Sequence, residues 1–303
     1  MSIRLKWLNR NTVFDSVIIY RSLDPINLDA LPAPLVTLTN GEKEYLDTTA
    51  PKAKLLWYAF GVKKGTEIVY SKSKPMMDVD YTGPGPQEIA LGNWFQGYFG
   101  IIEQVDLLTS ADLVGKFGVG NVSSTAIRWH KFAYMGKVLY IPSAIVAIGV
   151  SWNALYNKGL VFGVNDVGPT GHGNPPTNQW QTIVKGDDQL LVRLPRSNLT
   201  PDYVMGTTDP YSEWFMCVYA LGGSSQAKGL SQPQAIAALG PDNSWFVLNT
   251  TTAPLAEFQN NGALTGGSNY VAVNSSAWGT NALGAARSSS GNWRPVLEYM
   301  FPY

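Results

Sequence analysis

The chain has 303 residues, with 22 Lys and Arg balanced by 22 Asp and Glu, and only 15% of its residues are charged. Soluble domains carry about 25% charged residues, and a phosphate backbone is recognised by a surplus of cations, so this composition excludes a nucleic-acid partner. A length of 303 residues suggests about two domains.

The single cysteine, Cys217, allows no disulfide within the chain, and its setting in Trp214-Phe-Met-Cys-Val-Tyr219 suits a buried thiol better than a nucleophile. The opening residues 1–7 carry charges where a secretory signal needs an apolar run. The longest apolar stretch, 141–150, is too short to cross a bilayer. These features predict a protein made in a cytoplasm without membrane insertion. Glycine (30) and proline (19) are spread along the chain. With the aromatics they favour short strands joined by turns, so the expected class is mainly β with minor α.

Residues 1–79 read as a small β-sandwich. Ile3, Leu5 and Trp7 alternate with polar residues and predict a first strand. Residues 14–21 give a second, and Leu35-Val-Thr-Leu38 a third before the turn Asn40-Gly41. Tyr45-Leu-Asp-Thr-Thr49 follows, and residues 55–62 form a strongly apolar strand. The turn Lys63-Lys-Gly65 then leads into Glu67-Ile-Val-Tyr70. Turns at this interval suit a sandwich. Leu5-Lys-Trp7, Val17-Ile-Ile-Tyr-Arg-Ser22, Tyr45-Leu-Asp-Thr48, Trp57-Tyr-Ala-Phe60 and Tyr70-Ser-Lys-Ser73 arrive in an order that resembles a fibronectin type III module, an immunoglobulin-like sandwich. The resemblance implies a spacer or docking unit and no chemistry of its own.

Residues 80–92 contain Tyr81-Thr-Gly-Pro-Gly-Pro86, whose two Gly-Pro pairs bar regular structure and read as a linker. Residues 93–303 form the second predicted domain. Residues 107–114 suggest a short helix capped by Ser110. Arg128–Tyr134, Met135-Gly136 and Lys137–Ile141 read as a β-hairpin. Residues 151–158 read as a helix with Ser151 as cap and Gly159 as stop. Residues 168–176 are a Gly/Pro loop, Leu190–Leu194 a strand, and 212–219 a helix or a strand that periodicity leaves undecided. Residues 244–248 read as a buried strand between the Gly/Ser/Ala/Asn-rich stretches 221–243 and 260–292. The closing Trp293-Arg-Pro-Val-Leu-Glu298 predicts a final strand, with Arg294 paired internally and Val296 and Leu297 facing a core.

Several pieces of this second domain stand in a recurring order. They are Phe99-Gly, Asp106-Leu-Leu-Thr-Ser110, Trp129-His-Lys-Phe132, Gly136-Lys-Val-Leu-Tyr-Ile141, Val150-Ser-Trp-Asn-Ala-Leu155, Ser212-Glu-Trp214, Gly266-Gly-Ser268 and Trp293–Glu298. Over about two hundred residues the chain resembles virion structural proteins of tailed bacteriophages, of the tail-fibre-like or decoration kind. The resemblance implies residence in the virion after synthesis in the host cytoplasm, at the tail, fibre or baseplate or as a capsid decoration, with other virion proteins as partners. It also implies an irregular α+β domain reminiscent of C-type-lectin-like and formylglycine-generating-enzyme-like folds. The enzyme branch of those folds needs catalytic cysteines, which Cys217 alone does not supply.

Residue types for catalysis are sparse. His130 sits between Trp129 and Lys131 in a strand, a structural position. His172 lies in the Gly/Pro loop six residues after Asp166, short of the three or four ligands a metal needs. Asp187-Asp188 pairs two carboxylates, as a glycosidase or a calcium site does, but a solvated turn explains them more simply. Gly115-Lys-Phe-Gly-Val-Gly120 lacks phosphate-loop spacing. The expectation is therefore a non-enzymatic protein without cofactor or metal. Most of the ten tryptophans suit a core. Trp180, after Pro175-Pro-Thr-Asn-Gln179, and Trp278, inside Asn274-Ser-Ser-Ala-Trp-Gly-Thr280, stand in polar loops. With His172 they are the candidate ligand-binding residues, for a host surface glycan or receptor. The near-neutral, aromatic-rich composition predicts a homo-oligomer, with a trimer as the first choice for a fibre or decoration protein.

Overall fold

Alternation decides the first strand: in Ile3-Arg-Leu-Lys6 the aliphatics are buried and the cations exposed, as a half-covered sheet requires. The computed structural model describes residues 2–8, 13–168, 174–196, 212–213, 216–217, 253–258, 269–273, 282–286, 288 and 290–303. It divides into two units: Met1–Thr82 with Asn93–Phe95 and Phe301–Tyr303, and Gly83–Gly92 with Gln96–Met300. The architecture is mainly β, built from several antiparallel sheets.

The first unit holds β1 (Ile3–Lys6), β2 (Ser16–Ser22), β3 (Pro34–Leu38), β4 (Glu44–Asp47), β5 (Leu56–Lys64), β6 (Glu67–Tyr70) and β7 (Lys74–Met76). β1 and β4 form a two-stranded sheet, and β3-β2-β5-β6 a larger one, with β7 also paired to β5. β2 occupies one flank of β5 along its length, so β6 and β7 share the other. Ile3 and Leu5 pack against Val17, Ile19, Leu56 and Tyr58. The opposite face of β2 and β5 buries Ile18, Tyr20 and Ala59 against Ile26 and the rings of Trp57 and Tyr70.

This small core has a polar hub. Asp47 is fully buried. It accepts from Tyr58 Oη at 2.7 Å, Arg21 Nη1 at 2.7 Å, Thr49 Oγ1 at 2.8 Å and the Thr49 backbone N–H at 2.9 Å. Burial alone would raise its pKa, but these donors outweigh it and hold the carboxyl below its ordinary value. Burial, and then the bond to Asp47, push the Tyr58 phenol well up.

The second unit holds β8 (Leu91–Gly92), β9 (Gln96–Glu103), α1 (Ser110–Phe117), β10 (Asn121–Val122), β11 (Arg128–Tyr134), β12 (Lys137–Pro142), β13 (Ala147–Val150), α2 (Trp152–Asn157), β14 (Thr182–Lys185), β15 (Asp188–Arg193), β16 (Ala253–Phe258), β17 (Asn269–Val273), β18 (Ala282–Ala286), β19 (Gly291–Trp293) and β20 (Val296–Tyr299). A seven-stranded sheet runs β14-β15-β20-β12-β11-β9-β8, and two three-stranded sheets run β10-β13-β19 and β16-β17-β18. The large sheet is antiparallel throughout.

The closing tail joins two sheets. Trp293 ends β19, which pairs β13, and Val296 begins β20, which is inserted between β15 and β12. Pro295 makes the corner, where a missing N–H costs no ladder bond. Val296 and Leu297 are fully buried, and Arg294 Nη2 donates to Ser143 O at 3.1 Å.

Two readings from the sequence are corrected, and one strand is added. The first helix is capped by Thr109, whose Oγ1 accepts from Asp112 N while the Asp112 carboxylate accepts from Thr109 N, a reciprocal pair that Ser110 cannot make from inside the helix. β14, to which the sequence assigned no element, forms because Thr182-Ile-Val-Lys pairs in register with Asp188–Leu191 across the Gly186-Asp187 turn. Residues 83–92, read as linker, belong to the second unit. The strand expected at 244–248 and the Trp214, Trp245 and Trp278 positions lie outside the described residues.

Candidate functional site

The loop carrying Trp180 is fixed from beneath by helix α2. Ser151 starts that helix by accepting from Ala154 N. Trp152 and Tyr156 then stack at 5.4 Å and 10°, with Phe162 edge-on to both. The stack is the apolar floor of the loop. Its polar pin is Gln179, fully buried. Gln179 Oε1 accepts from Val161 N at 3.1 Å, and Nε2 donates to Tyr156 O at 3.0 Å and Thr177 O at 2.9 Å. Its backbone N–H donates to Asp166 O at 2.7 Å. A buried amide with every group engaged holds a single backbone path.

Trp180 follows immediately and is 37% exposed. Its N–H donates to Asn178 Oδ1 at 2.8 Å, and Asn178 Nδ2 donates to Asn165 Oδ1 at 3.0 Å. Asn174 Nδ2 reaches Asn153 Oδ1 at 2.7 Å. Tyr156 Oη donates to Val167 O at 2.9 Å. The result is an aromatic surface beside carboxamides on a loop held by buried hydrogen bonds. An indole face with amide donors and acceptors matches the two faces of a sugar, one of C–H groups and one of hydroxyls. His172 and Trp278, the other two candidates, lie outside the described residues.

Other chemistry-bearing groups serve the fold. Asp166 Oδ1 accepts from Gly168 N and shapes the loop. Asp187 lies in the β14–β15 turn, and Asp188 opens β15 opposite Lys185. His130 is buried, with Nδ1 3.0 Å from Tyr98 Oη, and burial, then Arg294 and Arg128, push it down to about 4. Cys217 is buried, which raises its thiol pKa well above the usual value. Among the described residues no three His, Cys, Asp or Glu side chains gather as a metal site would need.

Two buried constellations escaped the sequence reading. Arg193 donates to Glu213 through Nη1 at 2.7 Å and Nη2 at 2.6 Å, and to Glu298 through Nη2 at 2.7 Å and Nε at 3.1 Å. Lys137 adds a second cation to Glu298 at 2.8 Å. Burial would raise the Glu298 pKa, but Arg193 and Lys137 win and hold it at about 2. The second is Lys131, fully buried in β11. Its Nζ donates to Gly83 O at 3.1 Å, Pro84 O at 3.0 Å and Pro86 O at 2.7 Å, beneath the ring of Phe99 at 4.9 Å. Three acceptors match the three N–H bonds of an ammonium; a neutral amine has two. Burial acts the other way and pushes Lys131 down to about 7. Gly83 and Gly85 both take φ +84, and a Cβ at Gly85 would collide with the Ile102 side chain. The Gly-Pro run is therefore a strap held on the sheet by Lys131, with Tyr140 Oη also donating to Pro84 O at 3.1 Å. No local pattern in the sequence marks either constellation, because Arg193 stands 20 and 105 residues from its two carboxylates and Lys131 stands 45 to 48 residues from its carbonyls.

No family model, curated protein or solved structure matches this chain.

Proposed function

We propose that this chain is a non-enzymatic structural protein of a tailed-phage virion, exposed on the particle at the tail, fibre or baseplate. The observation that supports this reading is how the motifs of the sequence resemblance combine. Phe99 lies in β9, Trp129–Phe132 in β11, Lys137–Ile141 in β12 and Val296–Glu298 in β20, which are neighbours in one sheet. Trp293 lies in β19 and Trp152–Leu155 in α2. Motifs that build one continuous core form a fold signature, and scattered surface matches would not. In this reading the first unit is a fibronectin III-like docking module. The second is a C-type-lectin-like display domain, and copies associate about a symmetry axis as a homo-oligomer, with a trimer as first choice. Mass spectrometry of purified particles tests it: the chain is expected at a fixed copy number, and its absence from mature particles refutes it. Placement as a capsid decoration protein is the variant that labelled electron micrographs separate from a tail position.

A second reading is favoured by Trp180. An exposed indole on a loop fixed by Gln179, where Asn178 accepts from the Trp180 backbone N–H and donates to Asn165, suits a host-surface glycan. Binding of the full chain to a glycan array, lost in Trp180→Ala, supports this role, and no binding to any glycan removes it.

A further inference from the structure

The first unit has an unfinished sheet. Inner-face residues of the larger sheet should be covered by the smaller one, and over β2 and β5 they are: Val17, Ile19, Leu56 and Tyr58 are buried under Ile3 and Leu5. Val69 of β6 pairs with Val62 and stands on the same inner face, yet it is 69% exposed. The smaller sheet has only β1 and β4, and nothing among the described residues extends it over β6 and β7. The gap is a cleft of about 600 Å³, floored by Phe60, Val69 and Met76 and bounded by Leu5, Trp7 and Leu8. That volume lies within the roughly 300–1,000 Å³ of ligand sites.

The rim is a strand edge. Trp7 N–H donates to Lys43 O, which fixes the alternation along β1. Ile3, Leu5 and Trp7 direct their backbone groups to β4, so Arg4, Lys6 and Leu8 direct theirs to the open side. A row of outward N–H and C=O groups beside an uncovered apolar floor is completed by one kind of ligand, an extended chain that adds a strand. The added strand's inward side chains would fill the cleft over Val69.

Charge selects the occupant. The outward side chains of β1 are Arg4 and Lys6, and the cleft's charged lining is Lys6 and Lys74; Lys6 also meets Glu44 of β4 at 3.7 Å, which leaves Arg4 and Lys74 as the cations without a carboxylate paired to them among the described residues. A second copy pairing antiparallel through the same edge would set Arg4 opposite Lys6 twice, which is unfavourable. We propose that the β1 edge and its cleft bind an extended strand of another protein, with apolar residues alternating with Asp or Glu. The inference goes beyond the assembly reading and does not depend on which particle the chain belongs to.

The test uses the full chain and three labelled synthetic peptides: alternating Val and Glu, alternating Val and Lys, and the Val/Glu peptide with a central Pro. Fluorescence anisotropy reads affinity and amide hydrogen exchange reads position. The Val/Glu peptide is expected to bind at least about tenfold more tightly than the Val/Lys peptide, since each cross-strand pair changes from attraction to repulsion. The Pro peptide should fail, because it removes a ladder donor. Slowed exchange at Lys6 and Leu8 is the expected footprint. Val69→Asp, at an exposed position, should leave the thermal melt unchanged and weaken the Val/Glu peptide about tenfold, because a buried unpaired carboxylate is costly. Equal binding of all three peptides, no binding, or protection elsewhere overturns the proposal. Concentration-dependent protection of Lys6 without peptide also overturns it, by assigning the edge to a second copy.

Discussion

Replacing Lys131 by Met removes the ammonium that holds the strap while nearly preserving side-chain volume. Three carbonyls, on Gly83, Pro84 and Pro86, lose their common donor. Gly83 O keeps Gln87 Nε2 at 2.8 Å and Pro84 O keeps Tyr140 Oη at 3.1 Å, so Pro86 O is the carbonyl left without its donor, at a cost of about 1–3 kcal/mol if the strap stayed in place. It need not stay: the segment can lift into water and rehydrate its carbonyls, giving up the contacts of Gly83 with Tyr140 and Tyr299 and of Gly85 with Ile102. Release of the buried ammonium also recovers some desolvation energy. The expected loss is therefore near the lower limit, about 1 kcal/mol. Denaturant unfolding followed by tryptophan fluorescence gives the total. Hydrogen exchange at Gln87 and Glu88 shows whether the loss is local, with exchange expected to quicken there well before the Trp129 region opens. Lys131→Arg keeps the charge but overfills a fully buried site, at a cost of about 1–3 kcal/mol. An unchanged midpoint for Lys131→Met, with exchange at Gln87 as slow as in the parent, would refute the stapled strap.

Acid should weaken the second unit through Glu298. Its folded pKa is about 2 against an ordinary 4.5, so it contributes stability above about pH 4.5 that is lost as pH falls toward 2; the difference corresponds to about 3 kcal/mol. A pH series of melts should show this loss in the parent, and Glu298→Gln should flatten it. Asp47→Asn leaves Tyr58 and Arg21 facing an amide and should cost the first unit about 2 kcal/mol, read as an early phase in urea unfolding. Because Asp47 is also held below its ordinary value, its contribution likewise disappears only as pH falls below the carboxylate range. Gln179→Ala should quicken exchange at Val161 while leaving the large sheet protected, because the amide pins the loop rather than the core.

The elements legible in the sequence are those with local causes. The β11–β12 hairpin was readable because Met135 and Gly136 form a turn with positive φ at both positions between two apolar runs. The α2 helix carried its cap at Ser151. The first unit's strands followed from alternation and turns. What escaped depends on distant partners. Residues 83–86 look like a linker until Lys131, 45 to 48 positions away, closes on their carbonyls. The short strand β14 has little pattern of its own and is defined by its pairing with β15. Of the candidate site, Trp180 was recognisable as an aromatic in a polar loop. The buried Gln179 that fixes it was not, since nothing local distinguishes it from its exposed neighbours.

The proposed role is that of a building part of a tailed-phage particle. Quantitative mass spectrometry on density-purified virions, before and after disruption into heads and tails, tests it most directly. The chain is expected at a constant, symmetry-compatible copy number per particle, in the tail fraction. Recovery only in the soluble lysate, with none in purified virions, would contradict it.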